Sequence, residues 1–156
     1  MTVIVTGATS FIGRAVVKAL LEEGCRVVAV SRPASAGAGK LQELFEDLKK
    51  QAGAEKKVFG SLELCFCELG EIEKLEKIYK KEELQAKAWL HLGWDGAGSD
   101  KRKDVKLQEK NIGYALQALH TAAALGCKRF LFSGSQAEYW ICNECVKEEQ
   151  DYQPVS

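Results

Sequence analysis

The sequence predicts an α/β fold: a doubly wound parallel sheet of order 3-2-1-4-5 with helices on both faces. Three observations predict it. Short apolar, β-branched runs alternate with helix-period segments from Val3 to Phe132. The second run, Val27-Val28-Ala29-Val30, is continuously apolar, as strands covered on both faces are. A glycine-bearing turn, Gly7 to Gly13, joins the first strand to the first helix. Right-handed crossovers then leave few topologies, and any ligand belongs at the carboxyl ends of the strands near the switch point.

Taken in order, Val3 to Thr6 reads as the first strand and Phe11 to Glu23 as a helix. Ile12, Ala15, Val16, Ala19 and Leu20 mark its inner face and Gly24 its stop. Arg26 to Ser31 is the second strand. Pro33 to Gly39, rich in Ala, Ser and Gly, reads as a loop. Leu41, Leu44, Phe45 and Leu48 predict a surface helix over Leu41 to Lys50. Leu62 to Cys67 is the third strand, Ile72 to Lys81 a short charged helix and Ala88 to Leu92 the fourth strand. A polar loop runs from Gly93 to about Lys101. Val105 to Ala124 is a long helix with Ile112, Ala115, Leu116, Leu119 and Ala123 inward and Gly126 at its end. Arg129 to Phe132 is the fifth strand.

Composition narrows the partners. The chain has 156 residues, the size of one domain, so residues 1–156 are read as a single unit. Lys plus Arg and Asp plus Glu are 22 each, which gives no electrostatic reason for a nucleic-acid or anionic-membrane partner. It also gives little protection against self-association. No apolar run approaches the roughly 20 residues that span a bilayer. Thr2-Val3-Ile4-Val5 opens the sequence as a strand rather than a leader, so the cytoplasm is the expected compartment. Six cysteines in such a chain are expected as thiols.

The turn Thr6-Gly7-Ala8-Thr9-Ser10-Phe11-Ile12-Gly13 carries the chemistry. A helix start presents unpaired amides and partial positive charge, which suit a diphosphate. Gly7 permits the tight turn and Gly13 close packing of helix on sheet. Ser10 stands where a third glycine would be, and its hydroxyl could either donate to the phosphate or crowd it. A bare strand-to-helix turn is the alternative reading. No acid ends the second strand, where one would hold a ribose hydroxyl; Arg32 stands there instead and favours NADP over NAD.

These residues resemble the extended short-chain dehydrogenase/reductase family of NAD(P)-dependent sugar-nucleotide epimerases, dehydratases and reductases. The likeness rests on Thr6-Gly7-Ala8 with Phe11-Ile12-Gly13, on His91-Leu92-Gly93, on Asn111 and on Arg129 through Tyr139. It implies a Rossmann domain. It also implies that Gly7, Thr9, Ser10, Phe11, Ile12 and Gly13 face the diphosphate and Arg32 the adenosine ribose. Glu68-Leu69 takes the place of the family's Asp-Leu pair beside the adenine. Leu92 and Gly93 would lie against the cofactor, and Trp94-Asp95-Gly96 where the substrate pocket opens. Ser135 matches the family's catalytic serine, and Gln136-Ala137-Glu138 hints at a nucleotide sugar.

The resemblance also implies a Tyr-x-x-x-Lys pair, whose lysine lowers the tyrosine pKa for proton exchange. Tyr79 is followed at that spacing by Glu83, Tyr114 by Ala118, Tyr139 by Asn143 and Tyr152 by Ser156, so the sequence holds no such pair. The expectation is a sheet truncated after the fifth strand, inactive alone, with an open edge at Arg129–Phe132 that favours a homo-oligomer. Cys65, Cys67, Cys142 and Cys145 are not expected to share a zinc ion. Strands three and five sit on opposite edges, roughly 19 Å apart at about 4.8 Å per spacing. His91 reads as a packed, hydrogen-bonded histidine, and Lys101-Arg102-Lys103 as a solvated helix start.

Overall fold

β-branched and apolar runs become five strands: β1 (Thr2–Thr6), β2 (Arg26–Ser31), β3 (Ser61–Phe66), β4 (Ala86–His91) and β5 (Arg129–Phe132). The structure is a computed structural model that describes residues 1–81, 84–97 and 101–134. The strands form one sheet of order β3-β2-β1-β4-β5, every neighbour parallel. The crossovers carry α1 (Phe11–Glu22), α2 (Gly37–Glu55), α3 (Lys74–Lys81) and α4 (Val105–Ala124). This is the predicted Rossmann arrangement. Among the described residues, no helix is long and apolar enough to cross a membrane.

Alternation along the strands splits the core into two layers. Val3, Val5, Val27 and Ala29 meet Val17 and Leu21 of α1 and Leu41 of α2. Ile4, Val28, Val30 and Trp89 meet Leu75 and Tyr79 of α3 and Ala118 and Ala122 of α4. Each fully buried Val or Leu contributes about 1.5–3 kcal/mol, so both layers are needed to hold the sheet. On the second face Glu63 of β3 accepts from Tyr79 Oη at 2.7 Å and pairs with Arg26 Nη2 of β2 at 2.8 Å. Burial and that hydrogen bond push the Tyr79 phenol pKa up, so it stays protonated.

Four elements differ from expectation. α2 begins at Gly37, inside the predicted loop, and runs to Glu55. Its start is held because Ser35 Oγ accepts from Gly37 N at 3.4 Å and bonds Thr9 Oγ1 at 2.8 Å. β3 and β4 each lie one or two residues earlier than read, and the predicted charged helix opens with a 3₁₀ turn at Leu69–Glu71.

The rotation of α1 and α4 is also corrected. In α1 the buried residues are Gly13, Val17 and Leu21, while Ile12 is 61% exposed. A Cβ on Gly13 would lie 2.2 Å from Gly7 O, so this residue touches the turn and turns the helix face by one position. In α4 the buried residues are Asn111, Ala118, Thr121 and Ala122. Ile112, Leu116 and Leu119, read as inward, are 58%, 52% and 42% exposed. Trp89, fully buried, shares this core layer with Ala118 and Ala122 of α4.

This rotation is tested by two substitutions that the periodicity would rank the other way. Ala118→Leu overpacks the α4 layer and is expected to destabilise the protein by about 1–3 kcal/mol. Leu116→Ala, at an exposed position, is expected to change stability by roughly 0.5 kcal/mol or less. Urea denaturation of both variants checks the order.

Candidate functional site

The carboxyl ends of β1, β2, β3 and β4 open into a cleft of about 870 Å³. It straddles the gap between β1 and β4, where the winding of the sheet reverses and the ends of neighbouring crossovers diverge.

Its floor is a crossing of two backbones. Gly7 has φ +72°, and a Cβ there would sit 2.7 Å from Gly93 N and from Leu92 C and O. Only glycine tolerates both the left-handed conformation and that approach. Leu92 N donates to Thr6 O at 3.1 Å and continues the β1–β4 ladder into the crossing. Leu69, from the turn after β3, closes the third side: a Cβ on Gly93 would meet its Cδ2 at 2.7 Å.

At the start of α1, Ser10 is the N-cap. Its Oγ accepts from Gly13 N at 2.9 Å, so the side chain folds back onto the helix. The amides of Phe11 and Ile12 remain the first helical donors without an intrahelical acceptor. Thr9 is held by its Ser35 bond, and its carbonyl accepts from Arg14 Nη1 at 2.7 Å.

Of the residues singled out from the sequence, Gly7, Thr9, Ser10, Arg32, Glu68, Leu69, Leu92, Gly93 and Trp94 line this one cleft. Phe11, Ile12 and Gly13 lie beside it without lining it, and Phe11 is 85% exposed. Arg32 is exposed at the end of β2 and makes no ion pair among the described residues. Ser135, Gln136 to Tyr139, Cys142, Cys145 and Tyr152 lie outside the described residues. Among the described residues no cluster of His, Cys, Asp or Glu could hold a metal ion.

The structure gives several residues roles at the site that the sequence did not. Asn111, 1% exposed, clamps the loop after β4: its Oδ1 accepts from Asp95 N at 2.9 Å and its Nδ2 donates to Asp95 O at 2.8 Å. The periodicity put Ile112 rather than Asn111 on the inner face, and Asn111 entered only through the family resemblance. Lys101, read as part of a solvated helix start, lines the cleft, while Asp104 caps α4 by accepting from Leu107 N at 3.1 Å. Gln108 ties that rim together, accepting from Trp94 Nε1 at 2.8 Å and donating to Lys101 O at 3.0 Å. Cys67 also lines the cleft, its thiol pKa pushed up to about 11 by burial, so it is no thiolate near neutral pH.

His91 stands under the rim, 1% exposed. Its Nδ1 shares a hydrogen bond with Thr6 Oγ1 at 2.8 Å, and its ring stacks on Phe132 with centroids 5.9 Å apart. Nε2 has no hydrogen-bond partner among the described residues. Burial lowers its pKa to about 4.

The sheet and the switch-point cleft define the doubly wound class whose strand ends receive a ligand. A model of the NAD dependent epimerase/dehydratase family matches residues 3–156, and the chain belongs to that family. It is 30% identical over 150 residues to UDP-glucose 4-epimerase 2 of Arabidopsis thaliana, covering 94% of this chain and 40% of that protein. Against the chloroplastic divinyl chlorophyllide a 8-vinyl-reductase of the same plant it is 38% identical over 77 residues, 49% of this chain and 16% of that one. The chain thus spans less than half the length of these relatives. Among solved structures, UDP-glucose 4-epimerase of Thermotoga maritima with UDP-glucose superposes with a TM-score of 0.71 at 23% identity, covering 99% of this chain and 45% of that chain. The enzyme of Bifidobacterium longum in complex with NAD+ and UDP gives 0.74 at 20% identity, covering 98% and 43%. At such identities these two establish the fold.

The histidine yields a pH prediction. Its folded pKa lies below the ordinary value, so the unfolded chain binds the proton first on acidification. The stabilisation from a neutral buried ring is whole above about pH 6.5 and is lost as pH falls towards about 4. Urea midpoints of the wild type should fall across that window more steeply than those of His91→Gln.

Proposed function

We propose that the cleft binds a nicotinamide adenine dinucleotide and is the cofactor site of an epimerase, dehydratase or reductase acting on a nucleotide sugar. The observation that carries this is the Gly7–Gly93 crossing. It clears side chains from the cleft floor in front of a helix start that still has two unpaired amides. The diphosphate lies along residues 7 to 13, with Ser10 free to donate its hydroxyl hydrogen. Arg32 meets the adenosine ribose, Glu68 and Leu69 the adenine, Leu92 and Gly93 the nicotinamide half. Trp94 stands where the sugar substrate enters, and Ser135 hydrogen-bonds its oxygen. Bound there, a nicotinamide supplies hydride transfer.

NAD is the cofactor in the family's description and beside the Bifidobacterium enzyme. Arg32, exposed and with no acid at the end of β2, favours the 2′-phosphate of NADP in this chain. These residues are read as binding without turnover, because no Tyr-x-x-x-Lys pair occurs among them. The unit works in the cytoplasm and pairs with a second copy along β5, where Leu131 and Phe132 are 51% and 47% exposed.

Calorimetric titration with NADPH and NADH tests the cofactor. Both should bind, NADPH more tightly. Arg32→Ala should weaken NADPH about tenfold with little effect on NADH, and Gly7→Ala should weaken both. Equal NADPH affinity in wild type and Arg32→Ala would remove the NADP preference. Binding of neither dinucleotide by the wild type would remove the proposal, and substrate-dependent hydride transfer would refute the loss of turnover.

Light scattering tests the pairing. A dimer is expected, and Leu131→Lys should shift it to monomer by placing a charge on the sheet edge. A wild-type monomer at high concentration overturns the pairing.

A further inference from the structure

Gly70 sits in the turn after β3, and it is not among the glycines with left-handed φ. Its conformation is open to any residue, so the space around it explains the missing side chain. A Cβ on Gly70 would lie 3.1 Å from Tyr114 Cε1 and 3.5 Å from its Cζ and Oη. The Tyr114 ring, carried by α4, therefore packs on the Gly70 backbone, one residue from Leu69 and two from Glu68. The same tyrosine lines the cleft. It is half-buried, and its hydroxyl makes no hydrogen bond among the described residues. The other phenol described on this side of the sheet, Tyr79, has its hydroxyl committed to Glu63 at 2.7 Å.

An aromatic ring with an uncommitted polar tip in a cleft wall offers an apolar face and a hydrogen bond together. We propose that Tyr114 is a specificity-determining residue for the base of the bound nucleotide, packing against a purine and hydrogen-bonding its edge. Gly70 is glycine so that the ring can reach this position. The inference rests on the reading of the cleft as a dinucleotide site and names a residue that reads the base. An ionised Glu68 carboxylate only accepts, whereas the Tyr114 hydroxyl donates and accepts. The two select a base edge that offers an N–H donor beside a ring nitrogen. Adenine offers its 6-amino N–H beside N7.

The experiment titrates the full chain and its Tyr114→Phe and Tyr114→Ala variants with NADH, AMP and nicotinamide mononucleotide, with thermal denaturation confirming that each is folded. Tyr114→Phe is expected to weaken AMP and NADH about fivefold through the lost hydrogen bond. Tyr114→Ala is expected to weaken both about tenfold or more. Nicotinamide mononucleotide should bind all three proteins alike. Variants that bind AMP as the wild type does overturn the inference, as does an equal loss for all ligands. Should Tyr114→Ala fail to fold, Tyr114→Phe decides. A wild type that binds neither NADH nor AMP fails at the dinucleotide reading itself, which separates that failure from an error about Tyr114.

Discussion

The contact on which the rest depends is the crossing of the Gly7 and Gly93 backbones at the ends of β1 and β4. It joins the two strands that flank the switch point, and a Cβ on either glycine would fall within 2.7 Å of another atom. From it follow the rotation of α1, through Gly13 against Gly7 O, and the seat of α2, through Thr9 and Ser35. The clearance that lets the strands approach is the same clearance that leaves a floor without side chains. Packing and site are therefore one constraint.

α4 shows how the site and the core compete for a helix face. Its large apolar residues face outward, and Asn111, Ala118, Thr121 and Ala122 face the sheet. Ala118 and Ala122 share a core layer with Trp89, and the Asp95 clamp accounts for Asn111. A hydroxyl and an amide are tolerated there because each is satisfied: Thr121 Oγ1 donates to Gln117 O at 2.8 Å, and Asn111 holds the loop. The outward stripe leaves apolar surface on α4 without a described partner.

The family match spans residues 3–156, while the relatives run on for more than twice that length. The cleft is lined from the strand ends, from Gly37 of α2 and from Tyr114 of α4. Its rim at Trp94 and Lys101 is held by Gln108.

Strand count, sheet order and the ends of α4 and β5 were legible in the sequence, because alternating periods and glycine stops are local signals. So were several of the residues that line the cleft, since they cluster at strand ends. The inward faces of α1 and α4, the early start of α2 and the roles of Lys101, Gln108 and Tyr114 were decided only by tertiary structure. Periodicity records that a helix has an apolar side. Which side turns inward depends on volumes contributed by residues far along the chain, here Gly7 under α1 and Trp89 in the core layer shared with α4.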